Sequence, residues 1–437
     1  MASLSILTRD LRIADNPVLS AGAPDVVPLF VHDRSISDRH GSPNREAFLA
    51  ESLNDIATSL SDMGTGLVYR TGPWLGTVLR VAGEAGVSDI HIARDVSGFA
   101  QRRLEELVEA TTLPVIVHES LTVVPPDSLA PQGGTFYKVF TPWFRRWIEV
   151  GWRTPVSTPL SLGRHSVASD PLPTPDDSAT SPDRLRGGES QAQARLSAWL
   201  PRSGGYGETR DSLGKNGTSM LSADLHFGTL SALEVARSSL EVGSDDFVRQ
   251  VAWRDFNHQV LFNQPQASTH DFRVGNPSWN TDAQGFDAWA TGMTGYPVVD
   301  AAMRQLRATG WMHNRARMIA ASFLTKDLMI DWRQGARWFM TWLTDGDVAN
   351  NQLGWQWVAG TGTDTNPTRI FNPTIQSRRF DPDGEYIRQW VPELKDVEAG
   401  EIHDPTPLVR AATGYPLPLV DHREAIHQFK DARGYRR

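Results

Sequence analysis

The sequence predicts two unlike halves: an α/β domain with a five-stranded parallel, Rossmann-like sheet, then an all-helical domain. Three observations carry this. Residues 1 to about 125 alternate short apolar runs with amphipathic helical patterns, as βαβ units do. From Glu189 onward a 3.6-residue apolar period dominates (Ala192, Leu196, Trp199, Leu200), and no convincing strand pattern returns. Between them, residues 155 to about 188 are rich in Pro, Ser, Thr and Asp without a period, as a connection laid over the surface is. With 437 residues the chain can build two cores. The expected division is 1–125, a connecting stretch 126–188, and 189–437.

Strands are expected at residues 4–7, 26–31, 66–69, 89–93 and 115–117. Helices are expected at 45–63, 74–84 and 100–109. No G-x-G-x-x-G comes after the first strand, so a dinucleotide site of the usual Rossmann kind is unsupported there. The segment in that place, Thr8-Arg-Asp-Leu-Arg-Ile-Ala-Asp-Asn16, reads most simply as a charged loop with Asp15 or Asn16 as a helix cap.

Composition removes several chemistries. Cysteine is absent, which excludes disulfides, thiolate metal sites and cysteine nucleophiles. The twelve His form no HExxH pair or comparable spacing, so no metal is expected. No basic, apolar leader opens the chain, and no run approaches the ~20 apolar residues that span a bilayer, so a cytoplasmic chain without membrane contact is expected. A net charge of −8 argues against general nucleic-acid affinity but leaves room for a local basic patch. Ten of the fifteen Trp fall between Trp253 and Trp390, more than core packing alone explains.

The helical half carries the chemistry. Asp345-Gly-Asp-Val-Ala-Asn-Asn-Gln-Leu-Gly-Trp-Gln-Trp357 reads as a turn-rich loop after a helix broken at Gly346. Its carboxylates and amides need partners if buried, which suggests a pocket for a flat ligand with polar edges. A solvated Asp/Asn turn is the competing reading. Upstream, Tyr206-Gly-Glu-Thr-Arg210 precedes Asn216-Gly-Thr-Ser-Met-Leu-Ser222. Hydroxyls and free N–H groups at a helix start suit a phosphate, although such a motif alone is more often a plain cap. In the helical run from Phe247 to Phe256 and beyond, the period puts Gln250, Trp253, Arg254 and Asn257 along one face. In Gly310-Trp-Met-His-Asn-Arg-Ala-Arg-Met318 it groups Asn314, Arg317 and Met318 and turns Arg315 away. Arg317 is then a natural partner for Asp345 or Asp347.

Together these segments resemble the photolyase/cryptochrome family, flavoproteins that use blue light. The resemblance covers nearly the whole chain and is strongest through residues 253–256, 294–318, 326–332, 345–357 and 370–394. It implies a U-shaped FAD in the helical domain, active as FADH⁻. Carried over position by position, Tyr206, Thr218, Ser219, Met220, Leu221 and Ser222 would hold phosphates and ribityl chain. Arg254, Asn314, Arg317, Asp345, Gly346 and Asp347 would surround the flavin, with Asn351 facing its N5. Trp355, Trp332 and Trp279 match the family's electron-transfer chain. Trp253 and Trp357 would flank a flipped-out pyrimidine dimer, with Gln250, Asn257, Asn314 and Met318 lining its cavity. Arg210, Arg315 and Arg369 would meet the DNA phosphates.

The partner so implied is DNA containing pyrimidine dimers, bound by a monomer. Asn314 and Met318 stand where (6-4) photolyases have His, and no long tail extends past the last helix. Both favour splitting of cyclobutane dimers over (6-4) repair or a photoreceptor without repair activity. Two positions depart from the pattern: Gln250 stands where Glu is frequent, and Met220 where Arg is. Arg9, Asn44, Arg45 and residues 95–103 lie where the family binds a second, light-harvesting pigment. Phe99 and Ala100 replace the usual Tyr-Gly there, so 8-hydroxy-5-deazaflavin, methenyltetrahydrofolate and an empty site all stay open.

Overall fold

Apolar, β-branched residues build the sheet. In the computed structural model, which describes residues 2–273 and 278–434, the strands are β1 (Ser3–Ile6), β2 (Val26–His32), β3 (Val68–Thr71), β4 (Asp89–Ala93) and β5 (Val115–His118). They lie parallel in the order β3-β2-β1-β4-β5. Leu4 is in register with Val27 on one side and Ile90 on the other, and all three are shielded from water. Such two-sided burial accounts for the near-continuous apolar runs of the central strands. The helices α1 (Pro43–Asp62), α2 (Trp74–Ala85) and α3 (Gly98–Ala110) supply the covering layers. One face carries a core around Phe48, Leu53 and Ile56, and the other a core around Val78, Val81 and Leu107.

Beyond the sheet, the helices that build or brace the site are α4 (Phe140–Glu149), α5 (Glu189–Trp199), α6 (Ser222–Phe227), α7 (Asp245–Asn263), α8 (Pro297–Thr309), α9 (Asn314–Ser322), α10 (Trp332–Trp342), α11 (Val348–Ala359) and α12 (His422–Ala432). α4 falls inside the 126–188 stretch; its buried Trp143 packs against Phe256 of α7, and its buried Trp147 against Trp143. Asp255 fixes this packing. Its carboxylate accepts from the N–H groups of Val123 (2.8 Å) and Val124 (3.2 Å) and from Trp147 Nε1 (3.0 Å). The rest of that stretch is mostly surface chain, bonded to the α/β half where Leu162 N donates to Met63 (2.8 Å) and Asp170 N to Tyr69 (2.8 Å).

One expected element is corrected. Residues 345–357 are not a loop throughout: the loop ends at Asp347, and Val348 to Trp357 are helical, in α11. Asp347 is the N-cap, accepting from Asn350 N at 2.8 Å, so the Asp-rich segment starts a helix. Nor does Gly346 break the preceding helix, because α10 already ends at Trp342, where Leu343 turns extended. Gly346 is instead a point of close approach, since a Cβ there would lie 2.6 Å from Arg45 Nη1.

Candidate active site

A cavity of about 510 Å³ opens between α6, α7, α9 and α11. The α7 face expected from periodicity forms one wall, with Gln250, Trp253, Arg254 and Asn257 all lining it. From α9 come Asn314, Arg317 and Met318; Arg315 points elsewhere, to Asp211 at 2.9 Å. α11 contributes Asn350, Asn351, Trp355 and Trp357, and the loop before it Asp345 and Asp347. Tyr206, Ser219, Leu221 and Ser222 complete the wall near α6. Three of the residues expected to hold the cofactor lie elsewhere. Thr218 lines a smaller neighbouring cavity, and Met220 and Gly346 are absent from the wall. Met220 takes a left-handed backbone (φ 56°), which sets the turn rather than the lining.

The two carboxylates are held differently. Arg317 Nη2 donates to Asp345 Oδ2 at 2.7 Å, leaving Oδ1 buried without a protein partner. Asp347 Oδ1 accepts from the backbone and side-chain nitrogens of Asn350, each at 2.8 Å. Its Oδ2 meets Arg9 at 2.5 Å, with His258 Nε2 at 3.5 Å. Burial would raise Asp347, but the surrounding His258, Arg9 and His226 hold it well below the usual carboxylate range. Asn351 donates to the Ala336 carbonyl (3.1 Å), and Arg254 to those of Leu121 (2.7 Å) and Leu225 (3.1 Å).

Residues 3–160 match the DNA photolyase domain, and residues 247–434 the FAD-binding domain of DNA photolyase. The deoxyribodipyrimidine photo-lyase of Streptomyces griseus is 48% identical over 98% of each chain. The chain belongs to the DNA photolyase family. Among solved structures, the class III photolyase of Agrobacterium tumefaciens superposes with a TM-score of 0.90 at 34% identity, covering 99% of this chain and 97% of that one. A Synechocystis cryptochrome superposes at 0.89 with 28% identity, covering 99% of each.

Within this photolyase frame, the aromatic residues divide by position. Trp355 sits between Phe339 (4.9 Å between ring centroids) and Trp289 (5.9 Å), and the first turn of α10 abuts it at Gly335. Trp332, at the start of α10, is fully buried with Nε1 on Asp271 (2.9 Å). Trp279 is partly buried beneath the Arg433 guanidinium (4.4 Å). At the mouth, Trp253 stacks on Phe140 of α4 with centroids 3.7 Å apart, and Arg369 covers Trp357 at 5.0 Å.

The neighbouring cavity, about 200 Å³, gathers Arg210, Arg249 and Arg315 beside Thr218, Gln250 and Trp253. It gathers three guanidinium groups on a chain of net charge −8, with Asp211 in the same lining paired to Arg315. Arg249 and Phe140 carry no signal in the sequence that marks them for the site. Arg249 lies over Phe140 (4.9 Å) and Phe144 (4.8 Å) and extends the cationic rim. His226 escapes sequence reasoning too, although Ser222 and His226 stand four residues apart on one face of α6 and both line the large cavity.

Three of the residues expected around a second pigment, Arg9, Asn44 and Arg45, bridge the two halves. Asn44 Nδ2 donates to the Trp342 carbonyl (2.5 Å), and Arg45 to the carbonyls of Met340 and Leu343. Arg9 lies between Asp95 and Asp347.

Proposed function

We propose that the protein is a light-driven DNA-repair lyase that splits cyclobutane pyrimidine dimers with FAD in the large cavity. One observation carries this: Trp253, Trp357 and Gln250 line the same cavity as Asp345, Asn351 and Trp355, so an extruded base and the cofactor meet in one space. The cavity suits a flat ring with polar edges. Apolar walls (Leu221, Val251, Phe339, Leu353) stand beside a buried acceptor without a partner, Asp345 Oδ1, and a buried donor without one, Trp355 Nε1. The Asp345–Arg317 pair, Asp347 and Asn351 hold the flavin, and Tyr206, Ser219, Leu221 and Ser222 the phosphates and ribityl chain.

Bound FAD, reduced as FADH⁻, supplies the light-excited electron that opens the cyclobutane ring and takes it back. The protein binds and orients around that chemistry. A dimer stacks and pairs poorly in the duplex, so extruding it costs less than extruding a normal base. Trp253 and Trp357 receive it on their faces, and such stacking is worth ~1–3 kcal/mol per base. Gln250 can donate to and accept from a pyrimidine edge. Arg210, Arg315 and Arg369 meet the flanking phosphates, which position the strand without reading sequence. Indoles are readily oxidised, and Trp355, Trp332 and Trp279 form the path that keeps the cofactor reduced. Asn314 and Met318 favour the cyclobutane lesion. Anaerobically reduced protein under blue light should therefore restore an oligonucleotide carrying a cyclobutane dimer and leave one carrying a (6-4) product unchanged. Restoration of the second alone would refute the assignment.

A further inference from the structure

The sheet order β3-β2-β1-β4-β5 reverses between β1 and β4. In open α/β sheets the crevice beyond the carboxyl ends of the strands at such a reversal is where ligands bind. In this protein that crevice receives a side chain from the other half of the molecule. Arg9, after β1, and Asp95, after β4, meet across it at 3.2 Å, and Arg9 reaches on to Asp347 at 2.5 Å. Arg9 Nε donates to the His226 carbonyl (2.9 Å), and Nη2 lies 3.3 Å from His226 Nδ1.

The chemistry of these contacts fixes a proton. A guanidinium has only donors, so Nδ1 of His226 must be the acceptor. Burial pushes His226 down to about 4, leaving the ring neutral at pH 7 with its single proton on Nε2. His226 and Asp347 both line the large cavity, whereas Arg9 is outside its wall.

We propose that Arg9 is a positioning residue for the cofactor cavity: it fixes His226 as an Nε2–H donor for an acceptor oxygen of the bound dinucleotide, and it holds the Asp347 carboxylate in place. The proposal rests on the FAD reading above. It makes the α/β half a contributor to FAD retention through a side chain that never touches the cofactor.

The test strips FAD from the purified protein and titrates it back, following quenching of flavin fluorescence. Arg9→Met should weaken FAD binding on the order of tenfold or more, the scale of one lost charge-assisted contact. Arg9→Lys, which keeps the charge on Asp347 but cannot fork to His226, should fall between. His226→Ala combined with Arg9→Met should cost less than the sum of the singles, because one acts through the other. Histidine 15N resonances of the wild-type apoprotein should show His226 protonated at Nε2 alone, a readout that needs no variant to fold. An Nδ1–H tautomer in the wild type, or unchanged FAD affinity in Arg9→Met, would overturn the proposal. A wild-type apoprotein that never takes up FAD would instead count against the FAD reading, while the tautomer still reports on Arg9.

Discussion

Trp355 and Trp253 separate two tasks at the level of single residues. Trp355 is buried against Phe339 and Trp289 with its Nε1 unpartnered, so its environment is set by packing alone. Replacing it with Phe keeps most of the ring but removes an oxidisable indole. Trp355→Phe should block photoreduction of oxidised flavin and leave repair by chemically pre-reduced protein nearly intact; photoreduction at the wild-type rate would remove Trp355 from the path. Trp253 stacks on Phe140 and lines the cavity, so Trp253→Ala should weaken dark binding of a dimer-containing oligonucleotide by ~1–3 kcal/mol without changing FAD content. Equal affinity for the two proteins would place the dimer elsewhere. The site was largely legible at this scale, because Gln250, Trp253, Arg254 and Asn257 share one helical face and Arg317 found Asp345. His226 and Asn350 were not, because their roles depend on Arg9 and Asp347, and Arg9 lies 217 positions from His226.

At the level of elements, the strands were legible because buried parallel strands leave apolar runs. The 345–357 stretch was not, since a polar Asp-Gly-Asp sequence looks alike in a loop and at a helix start; only the contact from Asp347 to Asn350 N distinguishes them. The end of α6 shows how closely its neighbours fit. Gly228 has φ +68°, and a Cβ there would lie 1.8 Å from the Arg9 carbonyl oxygen. Gly228→Ala should thus cost more than ~2 kcal/mol in urea unfolding, from left-handed strain plus displacement of the Arg9 loop, and reduce FAD content with it. A neutral effect would mean the α6–Arg9 junction yields freely. Under α12, Lys326 donates to the carbonyls of Ala359 (3.2 Å) and Pro367 (3.1 Å), and burial pushes it down to about 7. Its folded value lies below its ordinary 10.5, so between those limits the unfolded chain binds the extra proton. Its contribution is present above pH 10.5 and is lost as pH falls towards 7. Stability should rise with pH between about 7 and about 10, with about one proton taken up on unfolding. Lys326→Met should flatten that slope; an unchanged slope would assign it to another group.

On the scale of the whole molecule, the two halves share one site. Arg9, Asn44 and Arg45 of the α/β half bond to Asp347, Trp342, Met340 and Leu343 of the helical half. Glu189 closes the junction from the other side, accepting from the N–H groups of Ile13 (2.6 Å) and Ala14 (2.9 Å). This seam was invisible in the sequence, because long-range pairing leaves no local period. Two halves were legible; their joint construction of the cavity was not. Among the described residues, no helix is long and apolar enough to cross a membrane. Whether this cavity brings a pyrimidine dimer to a photoactive flavin is decided by one paired measurement. The reduced holoprotein is mixed with oligothymidylate carrying cyclobutane dimers, and the ultraviolet absorbance of the thymines is monitored under blue light and in the dark. The absorbance should recover in the light and stay flat in the dark; equal traces would contradict repair and leave a light-sensing flavoprotein in its place.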